Sequence, residues 1–336
     1  MLLEEKIIKV PEWSLNDKLN RWCDYIELRC LYGKDKIVTK DDVLSLFIEG
    51  EDDSGEECHS GNFDKKSAQI DVIFEQIRYR SEAIPKFYPF NYSEGCLNAK
   101  NKFNANNMQY IMLLMSSCIA FMDESSRTSI TKYFEEYCLP IFKYLVSSDS
   151  EVHIFGTSKN SNFFVGNLRV RVQKLAECFN AQTTKTFDVD PKYDVAGGDA
   201  GIDLVAFNKI DEASHIPIAL AQCTCSYTNW EIKQESVNME SFTQKIMPVA
   251  PFGQYMFVSF FCRNATGKFE NPTTITTCLI DRLRIIKLID RHQELYDYID
   301  FDKQIGMIKH CCGETFYSAL NISIEDILDY SLTPLC

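Results

Sequence analysis

The sequence predicts an α/β (α+β) protein in two parts: a mainly helical N-terminal domain over residues 1–150, then an α/β domain over residues 151–336 with a C-terminal helical extension. Three observations carry this. In the first part apolar residues recur at helical spacing, as at Ile70, Ile73, Phe74 and Ile77. In the second, short runs rich in Ile, Val and Leu alternate with helical patterns. Hydrophobic residues make up 45% of the 336, enough for real cores and too many for a disordered chain.

Taken in order, residues 19–33 and 40–49 read as short helices, the second capped by Asp41 and Asp42. Gly50 to Asn62 is acidic and unpatterned and reads as a solvated loop. Ser67 to Arg80 is an amphipathic helix, broken by Pro85 and Pro89 around the aromatic stretch Phe87 to Phe90. Asn106 to Met122 and Ser129 to Leu145 read as longer helices, with few strand signals before residue 150. The Gly- and Ser-containing stretch from Ser147 to Phe163 marks the domain boundary. Val165 to Asn180 then puts Leu168, Val172, Leu175, Ala176 and Phe179 on one helical face. Thr183–Val189, Ile202–Phe207 and Ile216–Cys225 read as strands, the last two joined by a polar turn. A helix over 236–246, a strand over 255–262 and a helix over 280–297 complete the order α-β-β-β-α-β-α.

Charge narrows the function. The net charge is −13, with 18 Lys and Arg against 25 Asp and Glu in residues 1–150, and 15 against 18 in 151–300. This argues against nucleic-acid binding driven by bulk charge, so such contact needs a local basic patch or a partner chain. The 14 cysteines are scattered through apolar segments without a C-x-x-C, as expected of reduced, buried thiols in a cytoplasmic protein. Cys223-x-Cys225 with His310, Cys311 and Cys312 fits no standard zinc spacing. The N-terminus mixes charges into its apolar residues, unlike a signal peptide. The most apolar run, Tyr110 to Met122, is too short to span a membrane, so no membrane role is expected. No P-loop, G-x-G-x-x-G or H-E-x-x-H occurs, which disfavours an NTPase, a Rossmann oxidoreductase and a zinc protease.

The segment from Gly197 to Thr224 carries the chemistry. Asp203 sits between Ile202 and Leu204, and Gln222 between Ala221 and Cys223. A carboxylate inside an apolar strand is costly unless paired. Strand alternation puts Gln222 and Thr224 on one face and Cys223 and Cys225 on the other. Asp203 and Gln222 then either offer oxygens to one Mg²⁺ ion, or form a buried Asp capping backbone amides beside a satisfied Gln.

Gly-x-x-Gly-Ile-Asp-Leu-Val-Ala, a turn, and an apolar strand ending in Gln-Cys together resemble the core of PD-(D/E)XK nucleases. More narrowly they resemble the restriction-endonuclease-like proteins of bacterial anti-phage defence systems. The resemblance covers roughly residues 160–290, with weaker echoes at Phe74 to Phe90 and Asp281 to Arg284. It implies an αβββαβ core and a DNA endonuclease using Mg²⁺ (or Mn²⁺). Asp203 is then the metal aspartate and Gln222 takes the Glu/Gln place. The superfamily's lysine position holds Thr224, and Lys233, which begins the next helix, is the relocated lysine. Glu177 is the candidate helix acid and Asp199 an additional metal ligand. Arg169, Arg171 and Lys174 on one helix and Arg282, Arg284 and Lys287 on another are the expected phosphate contacts, with Trp230 stacking on a base. The resemblance also implies a partner protein within a defence system. The alternative, favoured by Thr224 and the net charge, is an inactive nuclease fold that binds or assembles with partners.

Overall fold

The computed structural model describes residues 19–52, 60–156, 163–194, 198 and 200–322. Helix α1 (Leu19–Tyr32) buries Trp22, Cys23, Ile26 and Cys30. It is followed by β1 (Ile37–Thr39) and α2 (Lys40–Asp52). Asp42 sits in the first turn of α2, where the helix dipole favours an acid, and its Oδ2 accepts from Thr39 N at 2.8 Å. Helix α3 (Ser60–Ala83) extends the expected 67–80 in both directions. Strands β2 (Phe90–Ser93) and β3 (Cys96–Ala99) form a hairpin whose two-residue turn, Glu94 and Gly95, has φ of 42° and 80°. With β1 they make an antiparallel sheet ordered β1-β3-β2. Strands of three or four residues are too short to show a period of two, which is why no sheet is expected here from sequence. Helix α4 (Ala105–Ser117) is buried all round, and Asn104 and Asn107 cap it reciprocally. Helix α5 (Glu124–Leu145) follows.

The main sheet comes next. The elements of this region are β4 (Glu151–Ile154), α6 (Leu168–Cys178), β5 (Gln182–Thr183, which lies outside the main sheet), α7 (Lys185–Val189), β6 (Leu204–Phe207) and β7 (Ile218–Thr224). Then come α8 (Trp230–Lys233), α9 (Met239–Thr243), β8 (Ile246–Met247), β9 (Gly253–Val258) and β10 (Cys278–Ile280). The strands lie in the order β10-β9-β7-β6-β4. β4 pairs antiparallel with β6 and β6 antiparallel with β7, while β9 runs parallel to β7 and β10 parallel to β9. Val205, Phe207, Ile218 and Leu220 point to one face and pack in a core with Leu168, Val172 and Leu175 of α6 and Val237 and Phe242. On the other side Phe142 of α5 meets Tyr255 and Phe257 of β9 edge-to-face, at 5.4 and 6.1 Å between centroids. Helices α10 (Arg282–Arg291), α11 (Phe301–Cys312) and α12 (Glu314–Ala319) end the described chain.

The chain forms two compact units that do not divide at residue 150. One is Met1–Ile130 with Ser259–Glu270 and Arg282–Cys336; the other is Thr131–Val258 with Asn271–Asp281. The expected boundary stretch contains β4, whose residues pair with β6 in the register Glu151↔Phe207 to Ile154↔Leu204. The expected strand 183–189 is mostly α7, because Thr184 Oγ1 accepts from Phe187 N at 3.2 Å and caps a helical turn. The expected helix 236–246 is a 3₁₀ turn, Gln234–Val237, followed by the short α9. The expected helix 280–297 starts later, because Cys278–Ile280 is a strand.

The first unit is built around a buried charge cluster. Arg282 donates from both terminal nitrogens to the two Asp24 oxygens (3.0 and 2.9 Å), and Arg80 reaches Asp24 Oδ1 at 2.7 Å and Glu27 Oε1 at 3.0 Å. Tyr88 and Tyr110 donate to Glu27 at 2.9 and 2.7 Å. All four charged side chains are at most 2% exposed. Two acids against two arginines keep the cluster neutral, and its hydrogen bonds offset desolvation. Among the described residues, every cysteine is a free thiol and no helix is long and apolar enough to cross a membrane.

Candidate active site

The second unit places Asp203 immediately before β6, at the end of a ladder. Its backbone is held on both sides: its N–H donates to Ala221 O at 2.9 Å, and its carbonyl accepts from Phe155 N at 2.8 Å and Gly156 N at 3.4 Å. Its carboxylate is buried, 2% exposed, and Oδ2 accepts from Cys223 N at 2.6 Å. That charge-assisted bond offsets part of the burial cost. The pairing of β6 with β7 ends at Leu204↔Ala221, so Asp203 and Gln222 stand side by side at one ladder end.

A second carboxylate arrives from α5. A Cβ built on Gly156 lies 3.4 Å from Glu135 Oε2 and 3.5 Å from Asp203 Oδ1. Two acids from different elements thus converge on a space left open by a glycine. Both are felt at Cys223, whose thiol burial pushes well up, with Cys138, Asp203 and Glu135 adding to the effect. Burial likewise raises the Cys138 thiol, which packs against Cys223 and ties α5 to β7 one turn beyond Glu135.

The third component is a lysine. Lys233, the last residue of α8, sends Nζ to Thr224 Oγ1 at 3.1 Å. Thr224 is buried in β7 two residues beyond Gln222. Ser236 lies one turn after Lys233. Its Oγ is 2.7 Å from Lys233 O, 2.8 Å from Gly201 O and 3.2 Å from Gln222 Oε1. Gly201 has φ +75°, and a Cβ there would fall 2.2 Å from Ser236 Cβ, so only glycine allows this approach.

Asp203, Gln222 and Lys233 are therefore brought together with Thr224. Other expected site residues go elsewhere. Glu177 is exposed near the C-terminal end of α6, and the helix carboxylate that shares the space at Gly156 with Asp203 is Glu135 of α5. Asp199 lies outside the described residues. Arg171 is only 3% exposed, and its terminal nitrogens donate to the carbonyls of Phe155 (3.0 Å), Gly156 (3.1 Å) and Gly198. It fastens the turn under the two acids and faces no solvent. Arg169 is spent on Asp194 Oδ1 and the carbonyls of Phe187, Asp188 and Asp190, at 2.5 to 2.7 Å. Lys174 donates to Phe163 O at 2.6 Å and sits 4.0 Å from the centre of its ring. Trp230 is buried, so its ring packs in the protein where base stacking needs an open face. Arg282 belongs to the first unit's charge cluster and is fully buried; Arg284, in the same unit, lies 5.1 Å from the Phe269 ring centre.

Glu135 and Ser236 escaped the sequence reading. Glu135 follows Phe134 and precedes Tyr137 and Cys138 on a helix assigned to the other domain, and an acid beside that apolar face was the available signal. Among the described residues no group of three or more His, Cys, Asp or Glu is arranged to hold a metal ion. At Gly156 two carboxylates converge, and Gln222 follows Ala221, the last β7 residue paired with β6; carboxylate and amide oxygens are hard donors of the kind Mg²⁺ and Mn²⁺ accept. Comparison with protein-family models, curated proteins and solved structures returns no match.

Proposed function

We propose that the second unit is a restriction-endonuclease-like core and that the chain is a Mg²⁺- or Mn²⁺-dependent DNA endonuclease, acting with a partner protein in anti-phage defence. One observation carries the reading: the Lys233 ammonium reaches Thr224, the position where such a core needs its lysine. Two further features support it. Three antiparallel strands, β4, β6 and β7, lead through a helical crossover to the parallel β9. A helix, α5, precedes them and brings Glu135 to Asp203.

In this reading Asp203 and Glu135 hold the cation, with Gln222 as a neutral oxygen ligand. When bound, the cation supplies Lewis-acid charge that polarises a phosphodiester and acidifies a water. Lys233 places a positive charge beside the attacking oxygen and the charge growing on phosphorus, and Thr224 holds that ammonium in place. Asp203 is kept in position by ladder bonds on both sides of its Cα, so its carboxylate is preorganised.

A second reading, an inactive fold serving as a binding module, draws on a different observation. Arg169, Arg171 and Arg282 are committed within the chain, and the net charge is −13. The cations for a DNA backbone then have to come from a partner. Cleavage of plasmid and linear DNA with Mg²⁺, Mn²⁺ or EDTA, with Asp203→Ala, Glu135→Ala and Lys233→Ala beside wild type, tests the enzyme. Metal-dependent cutting lost in all three variants supports it. Cutting that survives Asp203→Ala refutes this site.

A further inference from the structure

Ser236 is surrounded by more acceptors than it can serve. A serine hydroxyl carries one proton and two lone pairs. Its oxygen lies within hydrogen-bond distance of three oxygens: Lys233 O at 2.7 Å, Gly201 O at 2.8 Å and Gln222 Oε1 at 3.2 Å. The first two are carbonyls fixed by the main chain and accept only. The third belongs to an amide whose oxygen and nitrogen ends have the same shape, so hydrogen bonding decides which end faces where. At the other end of that amide, Gln222 Nε2 has no hydrogen-bond partner among the described residues. One side of the amide thus has a surplus of acceptors, while the other is not held by any described residue. Turning the amide over relieves the surplus: Nε2 donates to a Ser236 lone pair while the Ser236 proton goes to Lys233 O or Gly201 O.

We infer that Ser236 is a positioning residue that holds Gln222 by its amide nitrogen and so presents the Gln222 oxygen to the carboxylate site. The inference rests on the metal-site reading above. The same hydroxyl touches the three segments that carry the site: the Gly201 turn leading to Asp203, β7 with Gln222, and the helix end with Lys233. The closeness of Gly201 fixes the hydroxyl's location, since its missing Cβ is what lets Ser236 in. A neutral amide needs such a device where a glutamate does not. A carboxylate has oxygens at both ends and offers one to the site whichever way it turns; an amide turned the wrong way presents an N–H, which repels a cation.

The test is calorimetric titration of Mn²⁺ into the full chain, which reads binding without DNA or turnover. Wild type, Asp203→Asn, Ser236→Ala, Gln222→Glu and the Gln222→Glu/Ser236→Ala double variant are compared. Ser236→Ala is expected to weaken Mn²⁺ binding about 10- to 100-fold, the usual effect of losing a group that orients a ligand. In the Gln222→Glu background the same substitution is expected to change affinity less than about twofold, since the carboxylate needs no orienting. Equal losses in both backgrounds assign Ser236 a general structural role and overturn the inference, as does no loss in the Gln222 background. Absence of Asp203-dependent Mn²⁺ binding in wild type overturns the metal reading itself, and the inference with it. If Ser236→Ala does not fold, Ser236→Cys, similar in size and a weak hydrogen-bonder, takes its place in both backgrounds.

Discussion

Replacing Arg282 with methionine separates an arginine that binds phosphate from one that holds a core together. In the structure its Nε donates to Ser259 O at 2.8 Å, its terminal nitrogens grip both Asp24 oxygens, and one also meets Ser117 Oγ at 2.7 Å. Methionine fills much of the volume but leaves Asp24 with Arg80 as its remaining guanidinium partner, and Ser259 O loses its donor. Breaking a buried ion pair by removing one partner costs about 3–5 kcal/mol, because the other charge stays buried. That is a hundredfold or greater rise in the opening equilibrium. The assay is hydrogen exchange by mass spectrometry on the peptide covering Leu19–Tyr32, whose amides report local stability of the first unit. Protection there should fall by about 3 kcal/mol or more, and Arg282→Met/Asp24→Leu, which removes both charges, should recover part of it. A loss within about 0.5 kcal/mol, the range of a surface substitution, would refute the buried cluster.

Three further predictions concern the site and its surroundings. Lys233→Met should leave stability within about 0.5 kcal/mol while lowering DNA cleavage about 10²- to 10³-fold, and adding Thr224→Lys should restore part of the rate; a melting curve and a cleavage time course check both. Gly156→Ala should fold normally, since its new methyl meets ordinary contacts, yet lose Mn²⁺ binding because that methyl stands 3.4 and 3.5 Å from the two carboxylate oxygens; calorimetry with a melting control reads this. Burial alone would raise the Asp24 carboxyl, but Arg282 and Arg80 outweigh it and hold it below the ordinary aspartate range. Its contribution to stability is therefore complete above that range and lost as the pH falls through the folded-state value, so Asp24→Asn should flatten the acid limb of a stability–pH curve.

The parts of the fold legible in the sequence are those with a long or strongly apolar pattern. The helix of Ile70, Ile73, Phe74 and Ile77 and the strands around Val205 and Leu220 appear where periodicity puts them. β4 and the three short strands of the first unit were invisible, because three or four residues cannot display an alternation. Asp203 and Gln222 were legible as polar residues inside apolar strands, and Lys233 by its place one loop further on. Glu135 was not, since its partner lies 68 positions away and only the pairing of β4 with β6 brings the two together. The arginines misled for a related reason. Charge in a sequence says nothing about whether a guanidinium meets water or, like Arg171, a set of main-chain carbonyls.

The reach of the Asp24–Arg282 pair has a consequence for how the chain matures. The two residues are separated by 258 positions, and every segment of the second unit lies between them. As the polypeptide leaves the ribosome, Asp24 and Glu27 emerge early with Arg80 close behind, while their second arginine is made only after residue 281. The inserted unit is synthesised in full before the outer one has all its charges. Until then two acids share one arginine, and the first unit's core is one positive charge short. Domains fold largely as units during synthesis, so the expected order is inner unit first, outer unit last. A chain released after Asp281 should then carry a closed inner unit and a protease-sensitive N-terminal region.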